Sequence, residues 1–157
     1  MIVPCTSPEH EGWLALRLQL WPHHAAEELL AEMSTFCRAP ERFAQYLFLS
    51  SRGEPQGFVE VSLRTDYVNG TRSSPVAYLE GIFVVPNARR RGIATALVAE
   101  AEKWARSRGC REFASDALLH DEASHAMHKA LGFQETQRVV FFRKDWNARG
   151  DSESGGK

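Results

Sequence analysis

The sequence predicts an α+β domain, a mixed β-sheet with helices on both faces. Two short apolar runs, Tyr46–Leu49 and Gly57–Leu63, flank the turn-forming Arg52-Gly53-Glu54-Pro55 and read as an antiparallel hairpin. A third run, Val76–Val85, is closed by Pro86 and leads through a glycine-bearing turn into an amphipathic helix, the pattern of a parallel crossover. Two helical patterns precede the hairpin and two follow it, enough to cover both faces of a sheet.

Taken in order, Ile2-Val3-Pro4-Cys5 forms a short first strand, and Thr6 or Ser7 caps a helix that runs to about Leu20. Trp13, Leu14, Leu16, Leu18 and Leu20 are its apolar content. Trp21-Pro22-His23-His24 interrupts, and a second helix spans Ala25 to Phe36 with Leu29, Leu30 and Met33 inward and Glu27, Glu28 and Glu32 outward. The hairpin follows, then a loop through Asp66-Tyr67-Val68-Asn69-Gly70 and Ser73-Ser74-Pro75 to the third long strand. Ile93, Leu97, Ala101, Trp104 and Ala105 recur at helical spacing until Gly109 stops them. Cys110–Asp116 alternates like a strand, Asp121 opens a shorter helix ending near Leu131-Gly132, and Val139-Val140-Phe141-Phe142 is a final β segment.

A chain of 157 residues is long enough for one real core, placed here at 1–146, with the Gly- and Ser-rich stretch 147–157 as a flexible polar tail. A formal net charge of −1 gives no general attraction to nucleic acid. No apolar run nears the roughly 20 residues of a membrane span, and the first residues lack a signal-peptide profile, so a cytoplasmic protein is expected. Cys5, Cys37 and Cys110 are odd in number and lack metal-ligand spacing, which predicts free thiols, no disulfide framework and no metal site.

The densest chemical signal is Ala88-Arg89-Arg90-Arg91-Gly92-Ile93-Ala94, followed by Thr95. A basic glycine turn between a strand and a helix start is a phosphate cradle: the glycine admits close approach, and the first helical N–H groups aim at an anion. A Walker loop and a dinucleotide fingerprint are both absent, since neither Gly-Lys-Ser/Thr nor three spaced glycines occur. The remaining pattern, Arg-x-x-Gly-x-Ala after a strand, resembles motif A of the GCN5-related N-acetyltransferase (GNAT) family, and the whole element order to about residue 145 is similar to that fold. Trp21-Pro22, Asp66–Gly70, Tyr78-Leu79-Glu80-Gly81-Ile82-Phe83-Val84 and Cys110–Asp116 resemble the compact dimeric branch of aminoglycoside 6′-N-acetyltransferases.

The resemblance implies acetyl-CoA as cosubstrate, with Arg89, Arg90, Arg91, Gly92, Ile93, Ala94 and Thr95 at its pyrophosphate. A bulge near Gly81 to Val84 would free backbone groups of Ile82, Phe83 and Val84 for the thioester and pantetheine arm. Glu80 and Asp116 would lie side by side and take the proton of an attacking amine. Trp21, His23, Tyr67 and Glu135 would complete an acidic, aromatic-walled aminoglycoside site, with Asp121 and Glu122 as further carboxylates; Asp121 serves equally as a helix cap. The family's tyrosine acid is replaced at its position in the last helix by His128, which either protonates the departing thiolate or contacts CoA, and His125 faces solvent or the pantetheine. The apolar Val139–Phe142 edge and the dimeric branch imply a homodimer. Acetylation of a protein N-terminus or another polyamine is the competing acetyltransferase reading, and a non-catalytic acyl-CoA-binding module the competing binding reading.

Overall fold

Apolar residues alternate along the strands so that the two faces of one sheet each receive a helical layer. The computed structural model describes residues 1–147; apart from Asn147, the expected polar tail lies outside the described residues. Five strands, β1 (Ile2–Pro4), β2 (Phe43–Leu49), β3 (Pro55–Arg64), β4 (Val76–Val84) and β5 (Phe113–Ala114), lie in that spatial order. Neighbours are antiparallel except β4 and β5, which run parallel. The connection between those two is helix α3 (Ile93–Ser107), the crossover that a parallel pair requires.

On one face α1 (Trp13–Leu20) and α2 (Ala26–Arg38) bury Trp13, Leu16 and Met33 against Leu47 and Phe58. On the other, Ile93, Leu97, Val98, Ala101 and Ala105 of α3 cover Val59, Val61, Ala77 and Leu79, and Met127 of α4 (Glu122–Ala130) packs at the margin with Phe133. Leu30, expected inward, is exposed, and Leu29 and Met33 alone carry the buried face of α2.

Three boundaries differ from expectation. Helix α1 starts at Trp13 because Gly12 has φ +87°, which no right-handed helix accepts; Ser7 instead accepts the Glu9 N–H in a local turn. Strand β5 shrinks from Cys110–Asp116 to Phe113–Ala114, since only these two residues find partners, opposite Ala77 and Tyr78. Val139–Phe142 forms no strand within the described chain: an apolar run needs a ladder partner, and no described strand pairs with this one. Val140, Phe141 and Phe142 are 77%, 87% and 93% exposed.

Inside the α1–α2 layer lies a buried ion pair. Arg17 and Glu60, 1% and 2% exposed, approach to 2.8 Å, Trp13 donates its indole N–H to Glu60 at 2.8 Å, and Arg17 donates to the Leu29 carbonyl and to Glu32. Burial pushes the Glu60 carboxyl up to about 7, against the opposing pull of Arg17 and Trp13.

Candidate active site

The basic turn is shaped by two left-handed residues. After a 3₁₀ turn at Pro86–Ala88, Arg90 has φ 61° and Gly92 φ 79°, and α3 begins at the next residue. The first intrahelical bond runs from the Ala96 N–H to the Gly92 carbonyl, so the N–H groups of Ile93, Ala94 and Thr95 stand at an uncapped positive helix end. A Cβ on Gly92 would meet nothing within 4 Å, so the turn is open to solvent at this residue. Arg90 and Arg91 are exposed at its rim, whereas Arg89 donates Nε–H to the Val84 carbonyl at 2.9 Å and lies over the Phe83 ring, tying the turn to the end of β4. The side chains of Ile82, Val84 and Ile93 are core, so only their backbone groups are available to a ligand.

Beside this turn the sheet opens. Glu60 faces Gly81 and Val61 faces Leu79, which leaves Glu80 as the extra residue of a β-bulge. The bulge was expected at Gly81–Val84 and sits just before it. Strand β5 pairs no further along β4 than Tyr78, so from Leu79 onward the two strands part and β4 has β3 alone as partner. Beyond Tyr78 the β4 backbone therefore has unpaired donors and acceptors on its β5 side.

Glu80 and Asp116 each lie two residues beyond the last β4–β5 pair, Tyr78 with Ala114. Glu80 accepts the Ser62 hydroxyl and pairs with Arg64 at 3.0 Å. Arg64 in turn stacks on the Tyr78 ring, its guanidinium carbon 3.4 Å from the centroid, and the Tyr78 hydroxyl donates to Asp116. The two carboxylates are thus joined through Arg64 and Tyr78. Burial, then the bond to Asp116, raises the Tyr78 hydroxyl above its ordinary value and keeps it a donor.

Trp21 follows α1 and leans across the floor: a Cβ on Gly81 would come within 2.7 Å of its ring, and the Arg17 guanidinium stacks on it at 4.8 Å. Tyr67 is 75% exposed and lines a cleft of about 410 Å³ with Gly70, Thr71, Arg72, Thr136 and Gln137, a cleft that borders neither Glu80 nor Asp116. His23 is exposed in the α1–α2 connection. Glu135 is paired with Arg138, which holds its carboxyl below the usual range. Asp121 caps α4, accepting the Ser124 N–H at 3.0 Å. His125 bonds the Leu118 carbonyl at 2.9 Å and so braces the loop before α4.

His128 is oriented from both sides. Its Nδ1 lies 2.7 Å from the Ser124 carbonyl, which only accepts, so Nδ1 carries a hydrogen; Nε2 then faces the Ser115 hydroxyl at 2.7 Å. Ser115 adjoins Asp116 at the point where β5 ends. Sequence reading missed Ser115, Ser62 and Arg64. The period-two polar series Glu60, Ser62, Arg64 in an otherwise apolar strand was the available signal for two of them.

The acetyltransferase (GNAT) family model matches residues 9–133. The chain belongs to this family. Among GNAT relatives, an aminoglycoside N(6′)-acetyltransferase type 1 of Acinetobacter baumannii is 49% identical over 144 residues, covering 92% of this chain and 97% of the relative. A crystal structure of an aminoglycoside antibiotic 6′-N-acetyltransferase from Acinetobacter baumannii superposes with a TM-score of 0.87 at 48% identity, over 92% of this chain and 97% of that one. The structure of AAC(6′)-Iy in complex with the bisubstrate analogue CoA-S-monomethyl-acetylneamine matches with a TM-score of 0.85 at 44% identity, over the same shares of the two chains. The GNAT fold expected from the sequence is therefore the fold found.

Proposed function

We propose that this GNAT enzyme transfers the acetyl group of acetyl-CoA to the 6′-amine of aminoglycoside antibiotics and thereby confers resistance to them. One observation carries the substrate class: two carboxylates, Glu80 and Asp116, flank the mouth of the parted β4–β5 strands, beside an anion cradle at the start of α3. Relatives of nearly the same length act on aminoglycosides by name, and one was trapped with a CoA–aminosugar conjugate.

The cradle suits the pyrophosphate of CoA. The Ile93, Ala94 and Thr95 N–H groups and the Arg90 and Arg91 side chains would hold it, and the β4 backbone from Ile82 to Val84 would align the pantetheine arm. Bound acetyl-CoA supplies the thioester to be attacked. Glu80 and Asp116 bind the cationic amino sugar by charge-assisted hydrogen bonds and accept the proton that the ammonium must lose before it is a nucleophile. The amine nitrogen then bonds to the acetyl carbon as the C–S bond breaks, β4 backbone N–H groups stabilise the developing oxyanion, and the thiolate leaves. The Ser115 hydroxyl, held by His128 Nε2, stands in place of the family's tyrosine as the group facing that sulfur.

The described termini favour two copies working together. Val139 to Phe142 form an exposed apolar run, Trp146 is exposed three charged residues further on, and β5 has no neighbour beyond β4 among the described residues. The proposed homodimer pairs this run with the other copy. Free Cys5, Cys37 and Cys110 accord with a cytoplasmic site of action, the compartment that supplies acetyl-CoA.

Thiol release from acetyl-CoA tests the reading. Kanamycin and tobramycin, which carry a 6′-amine, are turned over; a matched aminoglycoside with a 6′-hydroxyl and a peptide control are not. Turnover of the peptide, or of the 6′-hydroxyl compound at the same rate, would overturn the substrate assignment.

A further inference from the structure

Arg64 occupies the place where the proposed substrate's charge should sit. It closes β3, pairs with Glu80 at 3.0 Å and lies flat on Tyr78, whose hydroxyl holds Asp116. A polycation thus meets a site whose first carboxylate is already neutralised by a resident cation.

Resting on the aminoglycoside reading, we propose that Arg64 is a displaceable counter-ion of the acceptor site: an ammonium group of the substrate takes over Glu80 as the Arg64 guanidinium leaves it. Three features fit exchange better than permanent support. The Arg64 and Glu80 side chains are 43% and 28% exposed, a setting in which an ion pair is weak and readily traded for another. Glu80 keeps the Ser62 hydroxyl when Arg64 departs, so its carboxylate stays aimed. Arg64 precedes the exposed Thr65–Tyr67 loop and has solvent to move into.

The resident cation also discriminates. A singly charged amine gains no more at Glu80 than Arg64 already supplies. A polycation brings further ammonium groups for Asp116 and its surroundings, and only the sum outweighs the displaced guanidinium. Arg64 therefore lowers affinity for every cation while favouring those with several charges.

The experiment compares the wild type with Arg64→Met and Arg64→Lys, using calorimetric kanamycin binding with thiol-release kinetics alongside. Arg64→Met binds kanamycin about three- to tenfold more tightly at low salt, with the change appearing in KM rather than kcat and a steeper loss of affinity as salt rises. Arg64→Lys, which keeps the charge, stays near wild-type affinity. Equal or weaker binding by Arg64→Met overturns the proposal, as does a lysine variant that behaves like methionine. Kanamycin binding without thiol release from the wild type would sink the substrate reading alone, because the affinity comparison still decides the role of Arg64. Absence of binding to all three proteins removes both.

Discussion

Glu80 is set apart by backbone geometry as well as by charge. As the extra residue of the bulge it turns its carboxylate toward Ser62 and Arg64 at the very place where β5 stops pairing with β4. Asp116 reaches the same region from the other strand and is held by Tyr78. General-base assistance contributes about 10²–10⁴-fold in comparable sites. Glu80→Gln and Asp116→Asn should each lower kcat by about 10²-fold in steady-state assays, with acetyl-CoA affinity by calorimetry within about twofold of wild type; full activity in either variant strips that carboxylate of its role. Gly92 acts through the backbone. At φ 79° a side chain strains the turn that aims the first helical N–H groups. Gly92→Leu should weaken acetyl-CoA binding by about tenfold or more, equivalent to about 1.4 kcal/mol, and unchanged affinity would end the phosphate-cradle reading.

At the scale of elements, α1 is joined to the sheet by a polar contact sunk in an apolar layer. Arg17 on α1 meets Glu60 on β3, and the same guanidinium stacks on Trp21, which in turn covers Gly81 next to the bulge. Removing one partner of a buried pair costs about 3–5 kcal/mol, whereas replacing both with apolar residues is often close to neutral. Arg17→Met and Glu60→Leu should each destabilise by that amount in urea titrations above pH 7, where Glu60 is charged, and the double variant by much less than the sum; additive losses would show the two residues uncoupled. Glu60 also sets a pH dependence. Its folded-state pKa, about 7, lies above the ordinary 4.5, so the native state keeps a proton that the unfolded chain gives up. Its contribution is fully present below about 4.5 and is lost as pH rises to about 7. Unfolding midpoints followed across that window should show this decline in the wild type and lack it in Glu60→Leu.

For the whole molecule, the unfinished edge is the main fact. The described sheet ends at a two-residue strand, and beyond Phe133 the chain carries Val139, Val140, Phe141, Phe142 and Trp146 on its outside. An exposed run of this kind is a template for pairing with another chain. Sedimentation should find the wild type as a dimer, and Phe141→Asp with Phe142→Asp should shift it to monomer. A wild-type monomer at micromolar concentration would refute the proposed assembly.

Local chemistry made much of this protein legible in its sequence. The hairpin, the crossover and the basic turn follow from alternation, turn residues and helix spacing, which act between near neighbours and leave a visible pattern. Asp121 announced itself as a cap for the same reason, and Glu80 and Asp116 stood out as carboxylates on strands beside the turn. Tertiary structure decided what depends on partners distant in the chain. Strand β5 is short because only two of its residues meet β4, and Val139–Phe142 forms no strand because an apolar run supplies side chains to bury but no neighbour to pair with. Gly12, free in the sequence to lie inside a helix, instead sets where α1 begins: it sits against Pro55, where a Cβ would come within 2.2 Å of the ring. The bulge at Glu80 is a matter of register between β3 and β4, and no residue of either strand specifies register alone. Arg64, one residue past the expected strand, shows no role in the sequence; folding extends β3 to it and lays it on Tyr78 and against Glu80, because a side chain's charge is written locally while its counter-ion is chosen by the fold.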